Sequence, residues 1–262
     1  IASLLYTSGT TAAPKGVMLT HKNFSSNFDS LFSLKIILPQ DNIIALLPLH
    51  HSYPFMVTLI TPLFTGAKIT FLNSLKSEGL LKCLEETNAT ILVGVPQLYH
   101  LLHKAIFEKI THPLVFLPIL KILNLARQGL RLNLNKILLK KLHQKFGSSL
   151  RFFASGGARL DPKIGYELTL LGFTILEGYG LTETSPVVTF NPLKRIRIGS
   201  VGPAIPEVKI KINNPNRENV GEVLIQGPNV MKGYYKKPKE TLEVLKEGWF
   251  YSGDLGFIDK KG

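Results

Sequence analysis

Apolar residues along the chain follow two different spacings, and each spacing predicts its own kind of element. Between positions 21 and 34 they recur every three or four residues, which predicts a helix. Short continuous apolar runs, bounded by proline or polar residues, predict buried strands. The predicted strands cover positions 43–48, 67–72, 90–95, 151–154 and 173–176, and the predicted helices cover 21–34, 57–64, 75–87 and a segment that begins at Asp161. This alternation predicts an α/β fold, with a mainly parallel sheet and flanking helices.

The pattern changes near Gly199. Positions 208–212, 222–226 and 248–251 are short β-type runs, separated by glycine and proline. Many short strands with such separators predict a small β-barrel or sandwich subdomain. We therefore predict two parts, an α/β part over positions 1–190 and a β-rich part over positions 191–262.

A basic stretch interrupts the α/β pattern between positions 100 and 150. From His100 to Arg151 there are ten Lys and Arg residues and a single acid, Glu108. Apolar residues over positions 123–146 keep a helical spacing, and most of the basic residues lie off that face. Such a helix can lie on a membrane surface or pack its apolar face on the domain. Amphipathicity alone does not distinguish the two arrangements, and we favour a surface helix that packs on the domain. The apolar run at 114–125 is too short to span a bilayer.

Composition narrows the class of protein. With 262 residues, 45% of them hydrophobic and 19% charged, the chain can bury a sizeable core and is typical of a globular protein. Its one cysteine excludes a disulfide framework and a Cys-x-x-Cys site, and it suits the reducing cytoplasm. The net charge of +13 favours phosphorylated ligands or an anionic membrane, so a peripheral position on the inner membrane face is a second expectation. The chain begins at Ile1 and stops in a predicted turn, so both ends read as cut.

The clearest candidate chemistry lies at positions 6–16. Hydroxyls, glycine amides and an ammonium group bind phosphate oxygens, because each is a donor and glycine lets the backbone approach closely. The loop is not a Walker A motif, since its lysine is followed by glycine and the glycine spacing differs. An ordinary polar hairpin loop is the alternative. The candidate phosphate-binding residues are Thr7, Ser8, Gly9, Thr10, Thr11 and Lys15.

Two further loops follow predicted strands. His50 and His51 are adjacent, but we expect their side chains to diverge, and no other ligand follows at metal-binding spacing, which disfavours a metal site there. Gly156 and Gly157 follow the strand at 151–154 and let the backbone approach a flat ligand. No G-x-S-x-G elbow is present, so a serine hydrolase would lack its nucleophile.

A second group of candidate residues surrounds Glu183. Tyr179 offers an aromatic face for a base, Thr182 a hydroxyl for a phosphate oxygen, and Glu183 a carboxylate for Mg²⁺, which prefers few protein carboxylates. Taken alone, the segment is better explained as a strand-end turn with an exposed acid, and the loop at 6–16 shifts that balance. Asp254, on a glycine-flanked loop, can chelate the two hydroxyls of a ribose, and an Asx-turn is its alternative role.

These segments together resemble the adenylate-forming, or AMP-binding, superfamily. Positions 7–16, Thr-Ser-Gly-Thr-Thr-x-x-Pro-Lys-Gly, are similar to its signature loop, with Ala12 where members usually carry glycine. Ser-Gly-Gly-Ala at 155–158, Tyr-Gly-Leu-Thr-Glu at 179–183 and Ser-Gly-Asp at 252–254 resemble its other motifs, in the family's order. The resemblance implies part of the family's large N-terminal domain, including a small β-barrel-like subdomain, and an end that precedes the hinge and the C-terminal domain.

The resemblance also implies a reaction and residue roles. The family converts a carboxylate and ATP to an acyl-adenylate and pyrophosphate, and then transfers the acyl group to a thiol. It implies catalytic roles for Lys15, Thr182 and Glu183, with Mg²⁺ on Glu183, a ribose contact for Asp254, and a place for His51 in the acyl pocket. The other residues implied in nucleotide binding are Thr7, Ser8, Gly9, Thr10, Thr11, Gly156, Gly157, Ala158, Tyr179 and Gly180.

The expected substrate is a long-chain fatty acid, because the basic helical insertion at about 100–150 is similar to that of long-chain relatives. The thiol would be CoA or an acyl carrier protein. Since the family's C-terminal domain supplies a lysine for adenylation, we expect this chain alone to bind nucleotide poorly and not to turn over. The alternatives are a ligase for short or aromatic acids and a non-catalytic member that binds a membrane or a partner. Nucleic-acid binding is disfavoured, because the basic stretch carries no interleaved aromatic platform.

Overall fold

The computed structural model describes residues 1–7, 14–72, 77–109, 118–122 and 134–262. Its helices are α1 (His21–Ser33), α2 (Ser52–Pro54), α3 (Thr61–Thr65), α4 (Ser77–Glu86), α5 (Pro96–Phe107), α6 (Leu134–Leu138), α7 (Lys140–Lys145), α8 (Pro162–Leu170) and α9 (Pro238–Val244). Its strands are β1 (Ser3–Thr7), β2 (Lys15–Leu19), β3 (Asn42–Ala45), β4 (Lys68–Phe71), β5 (Ile91–Gly94), β6 (Phe152–Ser155), β7 (Ile175–Gly180), β8 (Val187–Phe190), β9 (Lys209–Asn213), β10 (Gly221–Gln226), β11 (Gly233–Tyr234), β12 (Leu245–Lys246) and β13 (Trp249–Gly256).

Six strands form the main sheet, in the order β4-β3-β5-β6-β7-β8. Neighbouring strands from β4 to β7 are parallel, and β8 runs antiparallel to β7. The strands β3, β5 and β6 are buried along their whole length, as expected for parallel strands with both faces covered. The prediction of a mainly parallel α/β sheet is therefore confirmed. The loops that follow β5, β6 and β7 meet at one edge of the sheet, where open α/β sheets bind their ligands.

Alternate residues of these strands face two hydrophobic cores. Ile43 and Phe152 pack into one core, whereas their neighbours Ile44 and Phe153 pack into the other. This division follows from the two-residue period of a strand. The first core continues into β10 and β13 of the β-rich part, so the main sheet and that part are packed against each other.

Two antiparallel sheets complete the fold. One, in the order β12-β13-β10-β9, is the β-rich part predicted from the sequence. The other, β1-β2-β11, pairs Tyr234 with Val17. Asn23 of α1 reinforces this pairing, because its Nδ2 donates to the carbonyls of Pro228 and Val230, each over 2.8 Å. The division at residue 190 stays a prediction, and β11 lies beyond it in sequence while pairing with a strand before it.

The helix predicted at positions 57–64 is present, and its backbone is α-helical only from Thr61 onward. Over Phe55–Ile60 it is π-helical, and the Thr61 amide donates to the carbonyl of Met56, five residues earlier. The apolar pattern does not distinguish the two geometries, because both present one apolar face. Short π-helical stretches are frequent at functional sites.

The basic stretch differs from the continuous helix predicted over positions 123–146. Positions 123–133 lie outside the described residues, and the rest forms two short helices, α6 and α7, separated at Leu139, whose ψ is 30°. Phe146 is buried, but Ile137 and Leu138, predicted on the same face, are 67% and 58% exposed. The prediction of one packed apolar face is wrong here, because the break at Leu139 changes the helical phase. Over the part of the chain that the structure describes, no helix is long and apolar enough to cross a bilayer.

Candidate functional site

A cavity of about 730 Å³ opens at the carboxyl ends of β5, β6 and β7. Its size lies in the range of small-molecule and cofactor sites. The structure brings together eight of the residues predicted from the sequence, which line this cavity: Thr7, His51, Gly156, Gly157, Tyr179, Gly180, Thr182 and Glu183. Its wall is otherwise largely apolar, and the apolar lining includes Leu31, Ile36, Ile37, Val57, Pro186, Val187 and Phe190. The site therefore combines a group of polar donors with a surface for an apolar ligand.

The glycine loop after β6 is closely packed on an aromatic ring. A Cβ added to Gly156 would lie 2.7 Å from Cζ of Tyr53, so a larger residue would displace that ring. The Tyr53 hydroxyl donates to the carbonyl of Ala154 over 3.2 Å, and burial raises its pKa, so the phenol stays protonated. Tyr53 lines the cavity and was missed in the sequence analysis. The signal that could have identified it is its place in the same loop as His51.

Ser155 supplies a further feature beside this loop. Its side chain is 3% exposed, and within the described residues its Oγ has no hydrogen-bond partner. Buried hydroxyls are normally paired. The residue lines the cavity, where this hydroxyl is available to a polar group of a ligand.

Tyr179 and Asp254 meet at the mouth of the site. The Tyr179 hydroxyl donates to Oδ2 of Asp254 over 2.8 Å. Burial raises the pKa of Tyr179 and the Asp254 charge adds to that shift, so the phenol remains a donor. Asp254 is exposed and does not line the cavity, but its neighbour Ser252 does. The structure thus places the predicted ribose residue against the predicted base-stacking residue.

Glu183 is held from two sides. It is 9% exposed, and its Oε1 accepts a hydrogen bond of 3.0 Å from the hydroxyl of Tyr234. Burial raises the pKa of Tyr234, and the negative charge of Glu183 raises it further. Lys15 lies with its Nζ 5.0 Å from the centre of the Tyr234 ring, and it does not line the cavity. Tyr234 was not identified as a candidate from the sequence.

The turn that carries Thr182 and Glu183 is itself tightly constrained. Oγ of Ser52 donates to Oγ1 of Thr182 over 3.3 Å, which links this turn to the start of α2. A Cβ on Gly180 would lie 1.8 Å from the carbonyl oxygen of Pro186, where β7 and β8 shift register. Only glycine fits at this point of the β7–β8 pair.

The remaining predicted residues are placed as follows. The rings of His50 and His51 lie 4.3 Å apart, so the expected divergence of these side chains is wrong. Within the described part of the chain, no group of three His, Cys, Asp or Glu residues is arranged to hold a metal ion. Ala158 is exposed and lies outside the cavity lining. Ser8, Gly9, Thr10 and Thr11 lie outside the described residues, so their phosphate-binding role stays a prediction.

The fold and this site have the layout of a nucleotide-binding α/β enzyme. The family model described as AMP-binding enzyme matches residues 1–235. The chain belongs to the AMP-binding enzyme family.

The chain is similar to several curated relatives over its whole length. It is 33% identical to fatty acyl-CoA synthetase A of Dictyostelium discoideum, of which it covers 42%. It is 29% identical to a long-chain-fatty-acid–CoA ligase of Bacillus subtilis, of which it also covers 42%, and 28% identical to a feruloyl-CoA synthase of an Amycolatopsis species, of which it covers 48%. The chain thus spans less than half the length of these relatives.

Solved structures support the same fold. The ATP-bound structure of MatB from Rhodopseudomonas palustris superposes with a TM-score of 0.80 at 31% identity, over the whole of this chain and 46% of that one. A malonyl-CoA ligase with methylmalonyl-CoA and AMP bound superposes with a TM-score of 0.76 at 28% identity, over 99% of this chain and 50% of that one.

Proposed function

We propose that the protein activates a fatty acid with ATP and then transfers the acyl group to a thiol. In the first step a carboxylate oxygen attacks the α-phosphorus of ATP, the bond to the bridging oxygen breaks, and pyrophosphate leaves. In the second step the thiol displaces AMP from the acyl-adenylate. The observation that carries the proposal is a single cavity in which Thr182, Glu183 and the Gly156–Gly157 loop share space with an extensive apolar wall.

The nucleotide fits the donors that this site offers. The Gly156–Gly157 backbone and the Tyr179 ring would bind the base between them. The Ser155 hydroxyl, which has no hydrogen-bond partner among the described residues, would lie beside it. Asp254 is available to the ribose from its position at the Tyr179 hydroxyl. Thr7 and Thr182 would hold phosphate oxygens, and Lys15 would join them from β2.

Glu183 would hold Mg²⁺, which neutralises phosphate charge when it is bound. A single buried carboxylate suits this ion, because Mg²⁺ takes most of its ligands from phosphate and water. Two anions must approach each other in the first step, so positioning and charge neutralisation would supply most of the catalysis. The buried turn at Thr182 and Glu183 keeps these groups in place before the substrate binds.

The apolar lining supports a fatty acyl substrate, and CoA is the acceptor that the relatives' names suggest. An acyl carrier protein is the alternative acceptor. A ligase for short or aromatic acids is the second candidate, because a feruloyl-CoA synthase and a malonyl-CoA ligase are among the similar proteins. The chain length of the preferred acid distinguishes these candidates.

Pyrophosphate release should therefore increase with acyl chain length when the natural protein is given ATP and a series of carboxylic acids. Each CH₂ group that enters the apolar part of the cavity contributes about 0.8 kcal/mol, or a factor of about four in kcat/KM, until the cavity is filled. The measurement is initial pyrophosphate release with acids of two to eighteen carbons, followed by thioester formation with CoA or acyl carrier protein.

Two outcomes would change the proposal. A maximum with short or aromatic acids would keep the reaction and reject the long-chain substrate. A folded protein that releases no pyrophosphate with any acid would reject the reaction and favour a non-catalytic role.

We also propose a peripheral membrane contact, which rests on the exposed side chains of the basic stretch. Ile122 and Ile137 are 66% and 67% exposed, and Nδ2 of Asn135 joins their two segments by donating to the carbonyl of Leu120. The exposed lysines nearby in sequence are Lys121, Lys140, Lys141 and Lys145. Apolar side chains flanked by lysines suit an anionic bilayer surface.

Replacing both Lys140 and Lys141 with glutamine should weaken binding to vesicles of phosphatidylglycerol and phosphatidylcholine by about thirtyfold. Each lysine near an anionic surface contributes about 1 kcal/mol. The measurement is co-sedimentation, and the matched control replaces the exposed pair Lys260 and Lys261. Equal binding by both double variants, or wild-type binding to uncharged vesicles alone, would contradict the proposal.

A further inference from the structure

The segment from Asn229 to Tyr235 joins the Glu183 turn to strand β2. The Met231 amide donates to the carbonyl of Glu183 over 2.8 Å, and Nδ2 of Asn229 donates to the carbonyl of Thr184 over 2.9 Å. Farther along, the Tyr235 amide donates to the carbonyl of Gly16 over 2.7 Å. One short segment therefore contacts both the turn that carries Glu183 and the strand that begins at Lys15.

Tyr234 is the side chain that connects the two charged groups directly. Its hydroxyl donates to Oε1 of Glu183 over 3.0 Å, and its ring lies 5.0 Å from Nζ of Lys15. It is 6% exposed, and its own amide donates to Oγ1 of Thr241 over 2.9 Å. Tyr234 is therefore buried, and its backbone is held both by the pairing with β2 and by Thr241. A side chain fixed in this way can set the positions of Glu183 and Lys15.

We propose that Tyr234 is a positioning residue for the metal–nucleotide site, which rests on the function proposed above. Its hydroxyl donates to Oε1 of Glu183 and limits the rotation of the carboxylate, so that the other oxygen would be the one available to Mg²⁺. Its ring holds the Lys15 ammonium through a cation–π contact of 5.0 Å. A carboxylate fixed in this way would suit Mg²⁺, because this ion demands near-ideal octahedral geometry and takes few carboxylate oxygens.

The hydroxyl is tested with Tyr234→Phe, which keeps the ring and the β2–β11 pairing. In the natural protein loaded with ATP, we expect the affinity for Mn²⁺, a substitute for Mg²⁺ that is measured by electron paramagnetic resonance, to fall by between about tenfold and a hundredfold, as for the loss of a hydrogen bond to a charged group. The matched control is Tyr235→Phe, since Tyr235 is 43% exposed and contacts Lys236 rather than Glu183. Its Mn²⁺ affinity should equal that of the wild type.

A second readout separates positioning from general destabilisation. The increase in melting temperature with ATP and Mg²⁺, minus the increase with ATP and EDTA, is measured within each variant, so a lower starting melting temperature does not affect it. This Mg²⁺-dependent increment should shrink in Tyr234→Phe and persist in Tyr235→Phe. An unchanged increment together with unchanged Mn²⁺ affinity in Tyr234→Phe would overturn the role of the hydroxyl.

The ring is tested with a double-mutant cycle between Tyr234→Leu and Lys15→Met, with ATP affinity as the readout. If the ring positions Lys15, each single variant should bind ATP more weakly than the wild type. The fold-loss of ATP affinity in the double variant should then be smaller than the product of the two single fold-losses. A fold-loss in the double variant that equals the product of the two single fold-losses would overturn the role of the ring.

The same measurements separate the two proposals. If the wild-type natural protein binds neither Mn²⁺–ATP nor ATP, the proposed function itself fails. If the wild type binds both and the variants are unaffected, only the inference about Tyr234 is rejected.

Discussion

Glu183→Gln is expected to lower kcat/KM for pyrophosphate release by about 10² to 10³. Removing one preorganised electrostatic group from a buried site has effects of this size. Glutamine keeps the size of the side chain and an oxygen that can accept from Tyr234, so the variant loses the charge and little else. The measurement is the initial rate of pyrophosphate release by the natural protein at saturating fatty acid and varied ATP, which gives kcat/KM for ATP. The melting temperature is recorded for the same sample.

Glu243→Gln is the matched control, because Glu243 lies exposed on α9, away from the cavity lining. It should retain wild-type activity. A kcat/KM of Glu183→Gln within threefold of the wild-type value would show that Glu183 does not hold the metal ion. Another residue would then have to bind Mg²⁺.

Gly180→Ala is expected to destabilise the protein by about 3 kcal/mol or more. The new Cβ would lie 1.8 Å from the carbonyl oxygen of Pro186, which is backbone and cannot rotate away, so the β7–β8 pair must open locally. Tyr179 and Thr182 flank this point in the chain, and nucleotide binding should be lost with the local structure. The free energy of unfolding is measured by urea denaturation.

Gly79→Ala is the matched control, because it makes the same substitution at a position where alanine is expected to stabilise the protein. Among the residues that the structure describes, no atom beyond the chain neighbours and the backbone of the same helix lies within 4 Å of a Cβ added to Gly79. The residue lies within α4, where alanine is favoured by about 0.5–1 kcal/mol. This variant should be slightly more stable than the wild type. A difference below about 1 kcal/mol between the two variants would show that the β7–β8 backbone relaxes around the new methyl group.

Local sequence pattern predicted the main sheet well, for a physical reason. Parallel strands buried on both faces must be short, continuous and apolar, and runs such as Ile91–Gly94 show this without any knowledge of tertiary contacts. The residues around Glu183 could also be identified, because hydroxyl, aromatic and carboxylate groups that follow a strand are close together in space as well as in sequence.

What could not be predicted depends on contacts between distant segments. The local sequence does not predict that β11 pairs with β2, because a two-residue strand is too short to indicate its partner or its register. The hydrogen bond from Tyr234 to Glu183 depends on this pairing and could not be predicted either. The exposure of Ile137 and Leu138 was missed because a periodic face does not reveal what covers it. The π-helical turn at Phe55–Ile60 was missed because it shares its apolar pattern with an α-helix.

The β1-β2-β11 sheet also has a consequence for the newly made protein. Asn23 bonds to the carbonyl of Val230, 207 residues later. Ribosomes add about 5–20 residues per second, so β2 is synthesised about 10–40 s before β11 can cover its edge. During that interval the β1–β2 hairpin offers an unpaired strand edge, a feature that favours association with other chains. We therefore expect the nascent protein to depend on chaperones chiefly until β11 has left the ribosome.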